Sequence, residues 1–329
     1  MAGALTGCGT FFPFQGGDAQ RSLYGDGSAG DVAVGAGQSL DLFTSAAADG
    51  NLQVNNLTIL AGSTLHVPPG TVIRCRGECT IAGELRVGVH DFSGGTGWFV
   101  SGTSPATFGA PSASFSGSQA GTGALGATGD SLSGGQPGTG LSSATARNLL
   151  MPGIVGGGGG AGTLAGTGGN GGGTLVILAR GAITISAGGS INADGQPSIA
   201  GGGGGGGGVV VLASQTKVDN QGTISAIGGA GGPSDSQEAA GGGGAGGINH
   251  LLAPMVTAGT RDASGGAAGT SGGAGSVNAA RHCGGGGGGG SGGFGGTGGA
   301  VGTTGNPQSA QAGAVGHTLT TVTDPTDLF

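Results

Sequence analysis

Charge is scarce in this chain: 9 basic and 16 acidic side chains in 329 residues, with a formal net charge of −7. A phosphate backbone is gripped by clustered Lys and Arg that release counterions, so nucleic acid is not an expected partner. No apolar run approaches about 18 residues, so no membrane insertion is expected either. The four cysteines, Cys8, Cys75, Cys79 and Cys283, are too few and too scattered for a disulfide framework. Along an extended strand Cys75 and Cys79 would stand roughly 13 Å apart. The one link left open, Cys75 to Cys79, therefore needs a sharp turn at Gly77, and the alternative is packed free thiols. The five histidines form no HExxH or HxH arrangement and there is no GxxxxGK[ST] loop, so neither metal nor cofactor is expected. Residues 1–15 lack a basic n-region and a continuous apolar core, which predicts synthesis and release in a cytoplasm.

Glycine is what the chain has in excess, with 90 residues. Four nearly pure tracts stand at 156–160, 201–208, 241–247 (broken by Ala245) and 284–290. Glycine loses the most backbone entropy on ordering, so such tracts either stay disordered or recover the cost through backbone hydrogen bonds. Strict Gly-X-Y periodicity is absent, which excludes a collagen triple helix. The ordered alternative is polyglycine II, threefold extended helices bonded laterally to one another; the other is flexible loops.

Apolar segments decide the rest. Residues 175–195 (LVILARGAITISAGGSINADG) and 209–228 (VVVLASQTKVDNQGTISAIG) align with one insertion, Leu175 falling on Val209 and Ile191 on Ile224, for a period of 33 to 34 residues. A weaker third copy opens at Ile248. Residues 52–89 hold short β-forming runs, 57–60, 64–67, 71–75, 80–81 and 85–89, separated by turn residues. Strands this short fit rungs of a β-solenoid or the hairpins of a small antiparallel sandwich. The fixed period favours the solenoid. The predicted fold is all-β: parallel β-helix-like rungs alternating with glycine-rich, polyglycine II segments, with helix only near residues 142–151. The expected organisation is an N-terminal attachment or capping segment (1–50), a β-rung region (51–93), a Gly/Ser-rich insertion (94–170), repeat rungs with polyglycine tracts (171–260) and a glycine-rich C-terminal tip (261–329).

Chemistry is thin. Solenoid enzymes that cleave polysaccharides need paired carboxylates from adjacent rungs, and Asp194 with Asp219 is the best pair available. Carboxylates at rung ends are more often solvated turn residues, so no catalytic residue and no enzyme are expected. Aromatics in glycine-rich surroundings are the better candidates for contact, because they bring rigid area at small entropic cost. Trp98, Phe99 and Phe294, with His282 beside Cys283, are the candidate receptor contacts, and the competing reading has them filling gaps in the core. Phe11, Phe12 and Phe14 read equally as a partner-docking cluster and as a cap on the first rung, and Leu328 and Phe329 read as a second docking site.

Residues 24–34 (YGDGSAGDVAV) followed by 55–65 (NNLTILAGSTL) resemble the opening of glycine-rich phage tail proteins and related bacterial surface proteins. Rungs like 72–87 and tracts followed by strands like 175–191 and 209–226 extend the resemblance over about a third of the chain. It implies a virion fibre or tail-tip protein in host attachment, made in the host cytoplasm, with other virion tail proteins and a host-surface saccharide or protein receptor as partners. Some such adhesins carry a tip of packed polyglycine II helices whose far loops touch the receptor; fibres are commonly symmetric homo-oligomers, and a trimer is the expected state here. The alternative is a purely structural virion or bacterial cell-surface fibre that binds no receptor. An ice-binding or depolymerising solenoid is a third reading, for which the sequence offers neither regular threonine arrays nor a convincing carboxylate pair.

Overall fold

The computed structural model describes residues 23–42, 50–88, 134–152, 156–160, 168–234, 239–270, 283–284, 286–290, 292–300 and 309–329. Eighteen short strands wind as six rungs of three. The first rung is β1 (Val32–Val34), β2 (Ser39–Asp41) and β3 (Asn51–Val54). The second is β4 (Leu57–Ile59), β5 (Thr64–Val67) and β6 (Thr71–Cys75), and the third β7 (Cys79–Ile81), β8 (Glu84–Val87) and, past α1 (Ser143–Asn148), β9 (Thr174–Ala179). Then follow β10 (Ile183–Ile185), β11 (Ser190–Asn192) and β12 (Val209–Ser214); β13 (Lys217–Asn220), β14 (Thr223–Ser225) and β15 (Ile248–Leu252); and β16 (Met255–Thr257), β17 (Thr260–Asp262) and β18 (His317–Thr321).

Every third strand pairs in parallel, giving three six-stranded sheets: a first from β1 to β16, a second from β2 to β17 and a third from β3 to β18. The pairing is that of a parallel β-solenoid, and the antiparallel sandwich drops out. The interior is filled by one inward residue per alternate position, including Leu57, Ile59, Leu65, Ile73, Ile81, Leu85, Ile177, Ile185 and Ile191, all fully buried. Burying each such side chain contributes on the order of 2 kcal/mol.

The rungs begin earlier and end later than the sequence pattern marks. β1 and β2 lie within the segment read as an N-terminal cap, β17 crosses the boundary at residue 260, and β18 lies within the segment read as a tip. The weak third copy is present as β15 and β16. The repeat register differs by one residue from the sequence alignment: Leu175 pairs with Val210 and Val209 with Thr174, although Ile191 and Ile224 do pair. The cause is burial on both faces. Every residue of β9, β12 and β15 is buried, so LVILA and VVVLA carry no alternation that could fix which face looks inward.

The third sheet is doubly buried because a second apolar cluster covers its outer side. Val176, Leu178, Val209, Val211, Ile248, Leu252 and Leu319 pack there with Tyr24, Ala146 of α1 and the partly buried Leu141, Leu149, Leu150 and Phe329. Ser142 caps α1 by accepting from the Thr145 N–H at 3.2 Å. From β18 the chain returns over this face through a 3-10 turn (Pro325–Leu328), and the Tyr24 hydroxyl meets that of Thr326 at 3.0 Å.

The glycine tracts enter at a single corner, between the second and third sheets. From the fourth rung on, the chain leaves the second sheet along an outgoing arm and returns along a glycine arm that runs directly into a third-sheet strand: 193–199 and 201–208 join β11 to β12, 226–234 and 239–247 join β14 to β15. At the exits the Asn192 and Asp262 carboxamide and carboxylate oxygens accept from the N–H groups of Asp194 and Ser264, at 3.0 and 2.9 Å. Such Asx turns end the ladder and start the new backbone geometry.

Candidate functional site

The arms form one hydrogen-bonded bundle. Around 201–208, the N–H groups of Gly204 and Gly207 donate to Gly242 and Ala245, those of Gly205 and Gly208 to Gln196 and Ala193, and that of Gly206 to Gly158. The carbonyls of Gly202 and Gly205 accept from Gly232 and Gly229, those of Gly203 and Gly206 from Gly169 and Gly172, and that of Gly204 from Gly288. Partners recur at every third residue, not every second, and the one arm touches six neighbours. That is the lateral bonding of a polyglycine II lattice, with three residues per turn. Within 201–208 only Gly201 has a positive φ, +71°. Glycine is required here for space and not for handedness: a Cβ at any of positions 203–208 would lie under 3.0 Å from a neighbour's backbone.

Peripheral arms differ from central ones in sequence. Gly195, Ser198 and Gly201 donate to Ile227, Ala230 and Pro233, and Gly228, Gly231 and Ser234 donate to Ser264, Ala267 and Thr270, again in steps of three. The intervening Gly228, Gly229, Gly231 and Gly232 are buried while Ile227, Ala230 and Pro233 look outward. The spacing in IGGAGGP, and in FGGTGG from Phe294, is the signature of a surface arm; an unbroken tract marks an interior one.

The far end of the bundle is visible at one turn. The Gly202 N–H donates to the Ile199 carbonyl at 3.0 Å, with φ of +38° at Ala200 and +71° at Gly201. Paired positive φ values are the type I′ pattern, which favours Asn or Gly, so Ala200 holds a strained backbone. Seven residues of arm beyond β11 put this turn about 22 Å from the strand end. It displays Ile199, 62% exposed, beside exposed Pro197 and Pro233. Nothing in composition marks Ile199, although a Pro and an apolar residue between a strand and a pure glycine tract are a turn signal.

The sequence candidates are scattered. Phe294 is 57% exposed, but at the solenoid end of the bundle, where its carbonyl accepts from Ala314 beside exposed Val315. Trp98, Phe99, His282, Phe11, Phe12, Phe14 and Cys8 lie outside the described residues. Phe329 packs on the chain's own third sheet, with Leu328 exposed next to it. Cys75 and Cys79 meet at a corner as two wholly buried free thiols, not a disulfide. The hydrogen bond with Cys75, which favours the protonated form, and burial push the Cys79 thiol well up. The corner through Gly77 brings the side chains together that an extended strand would have kept apart.

Asp194 and Asp219 are not a pair. Asp219 sits on the first sheet, where Lys217 Nζ at 2.8 Å and Gln221 Nε2 at 2.7 Å hold its carboxyl below the usual range. Asp194 stands at the corner, accepting from the Ser225 hydroxyl and from the Ile227 N–H at 2.6 Å. Burial pushes its carboxyl up against the pull of those bonds, and Asp262 adds to the rise. Among the described residues no group of three or more His, Cys, Asp or Glu could hold a metal ion, and no helix is long and apolar enough to cross a membrane.

These features define a class: a parallel β-solenoid with a polyglycine II bundle inserted at one corner. No protein-family model, curated protein or solved structure matches the chain.

Proposed function

We propose that the protein is a non-enzymatic phage tail component, a fibre or tail-tip protein that attaches to the host surface through the end of the polyglycine bundle remote from the solenoid. The observation that supports this reading is the arrangement of the arms. Hydrogen-bonded backbone makes a stiff platform, and the turn between two arms stands at its far end, carrying exposed apolar side chains on a strained backbone. Binding residues are commonly carried on loops held by a rigid scaffold. The partners are other virion tail proteins and a host receptor, saccharide or protein, and the working unit is a homotrimer. In the second reading, a structural virion or bacterial-surface fibre, the same bundle only spaces and stiffens.

Binding of the fluorescently tagged full chain to intact candidate host bacteria separates the two. Saturable binding that Ile199→Glu weakens by about tenfold or more is the expected outcome, about 1.4 kcal/mol at one contact. Absence of binding by the folded protein across the panel contradicts attachment and leaves the structural reading.

A further inference from the structure

In the second and third sheets the interior columns of the solenoid change character at one end, while the first sheet keeps Val256 against the core at its last rung. In the second sheet the register stacks Leu40, Leu65, Leu85, Ile191 and Ile224, and then Arg261. In the third sheet Ile177, Leu212 and Leu251 are followed by Thr320, while Leu175 and Val210 are followed by Asn249 and Thr318. Arg261 is half-buried, and its Nη1 donates to the Leu319 carbonyl at 2.8 Å, bridging from the second sheet to the third at the last rung. The first rung has no such change: Val32, Leu40 and Leu52 pack on the core below it.

We infer that the last rung is a sealed terminus and that Arg261 seals it against a second copy of this chain. Parallel strands with a free edge are a template for another rung, and short edge strands with an inward-pointing charge are a known means of blocking one. β16 and β17 are three residues each. A second copy docking its first rung in continued register would set Leu40 on the Arg261 guanidinium and Asp41 on Asp262. The first contact strands a charge against an apolar side chain, and the second opposes like charges. The solenoid therefore cannot extend through this end, and a partner that prolongs it joins at the first rung. The inference rests on the register alone and stands or falls separately from the attachment reading.

Sedimentation velocity on the full chain, R261I and R261K over a concentration series tests it, with each also carrying Met255→Cys and Asp31→Cys, exposed last-rung and first-rung positions that continued register would bring together as a crosslinking reporter. R261I is expected to associate beyond the wild-type mass and to crosslink through position 255, while wild type and R261K do neither. R261I that keeps the wild-type mass throughout overturns the inference, as does wild type that crosslinks through position 255. Should R261I lose the β-sheet circular dichroism of the wild type, R261Q, which keeps a donor for Leu319 without the charge, is read by the same two measurements against the same outcomes.

Discussion

Alanine at Gly205 lowers the stability of the protein by about 3 kcal/mol, the sum of an overpacking cost of about 1–3 kcal/mol and at least one lost hydrogen bond worth about 1 kcal/mol. Gly205 donates to Gln196 and accepts from Gly229, and an added Cβ would press on the backbone of Asn170 and Gly169. None of these neighbours is a side chain that can swing away. Each is itself bonded within the lattice, so the single methyl group displaces an arm and not a rotamer. Thermal melts followed by circular dichroism check this, with a fall in Tm of about 4–5 °C expected for a chain of this size. Ala267→Gly, at an exposed position of a peripheral arm, is the matched control and is expected to change stability by less than about 0.5–1 kcal/mol. A Gly205→Ala melt that overlays the wild type would mean that the central tract has room to spare, contrary to a close-packed lattice.

Acid weakens the cover of the third sheet. His250 lies on the outer side of β15, 1% exposed, with Nε2 against the Thr321 hydroxyl at 2.9 Å and, among the described residues, no hydrogen-bond partner for Nδ1. Burial first, then the Arg147 and Arg261 charges, bring its pKa down to about 4. Arg147 donates to the Thr320 carbonyl and the Thr321 hydroxyl, and Arg261 to the Leu319 carbonyl, so three basic side chains converge on β18. The folded state holds His250 neutral while the unfolded chain takes up a proton near pH 6.5. Stability from this residue is therefore complete above pH 6.5, falls as the pH drops from 6.5 toward 4, and loses nothing further below that. A shift of that size corresponds to about 3 kcal/mol. Asp194 acts in the opposite sense, because its raised pKa favours the folded state as the carboxyl protonates, and it softens the lower end of the fall. Denaturant titrations at pH 7 and pH 4.5 on wild type and His250→Gln measure the difference. The variant is expected to lose less stability between the two than wild type; equal losses would place the acid sensitivity elsewhere.

The parts legible in the sequence are those in which one face is buried and the other wet. Strands 57–59 and 71–75 alternate cleanly, and their residues alone place them as rungs. Where both faces are covered the alternation vanishes, and the repeats at 175 and 209 slip by one residue. Covering depends on α1 and on residues that follow β18, remote in sequence, so no local pattern announces it. Phe329 shows the same limit: an apolar C-terminal residue looks like a docking site until the outer face of the third sheet supplies its partner. The bundle was legible as a possibility of glycine chemistry, yet its layering was written in the outward residue at every third position, as in Ile227, Ala230 and Pro233. The site was the least legible part. Contact at Ile199 depends on which end of an arm turns, and that follows from the corner at which the arms leave the solenoid.

Native-state hydrogen exchange of glycine amides, read by NMR on protein labelled at glycine with ¹⁵N, tests the central claim that the tracts are an ordered, laterally bonded lattice. The account predicts that Gly204 through Gly208 and Gly243, Gly244, Gly246 and Gly247 exchange as slowly as the amides of β12, because each donates to a neighbouring arm. Exchange of these amides at the rate of an unstructured chain, with the solenoid strands still protected, would contradict it.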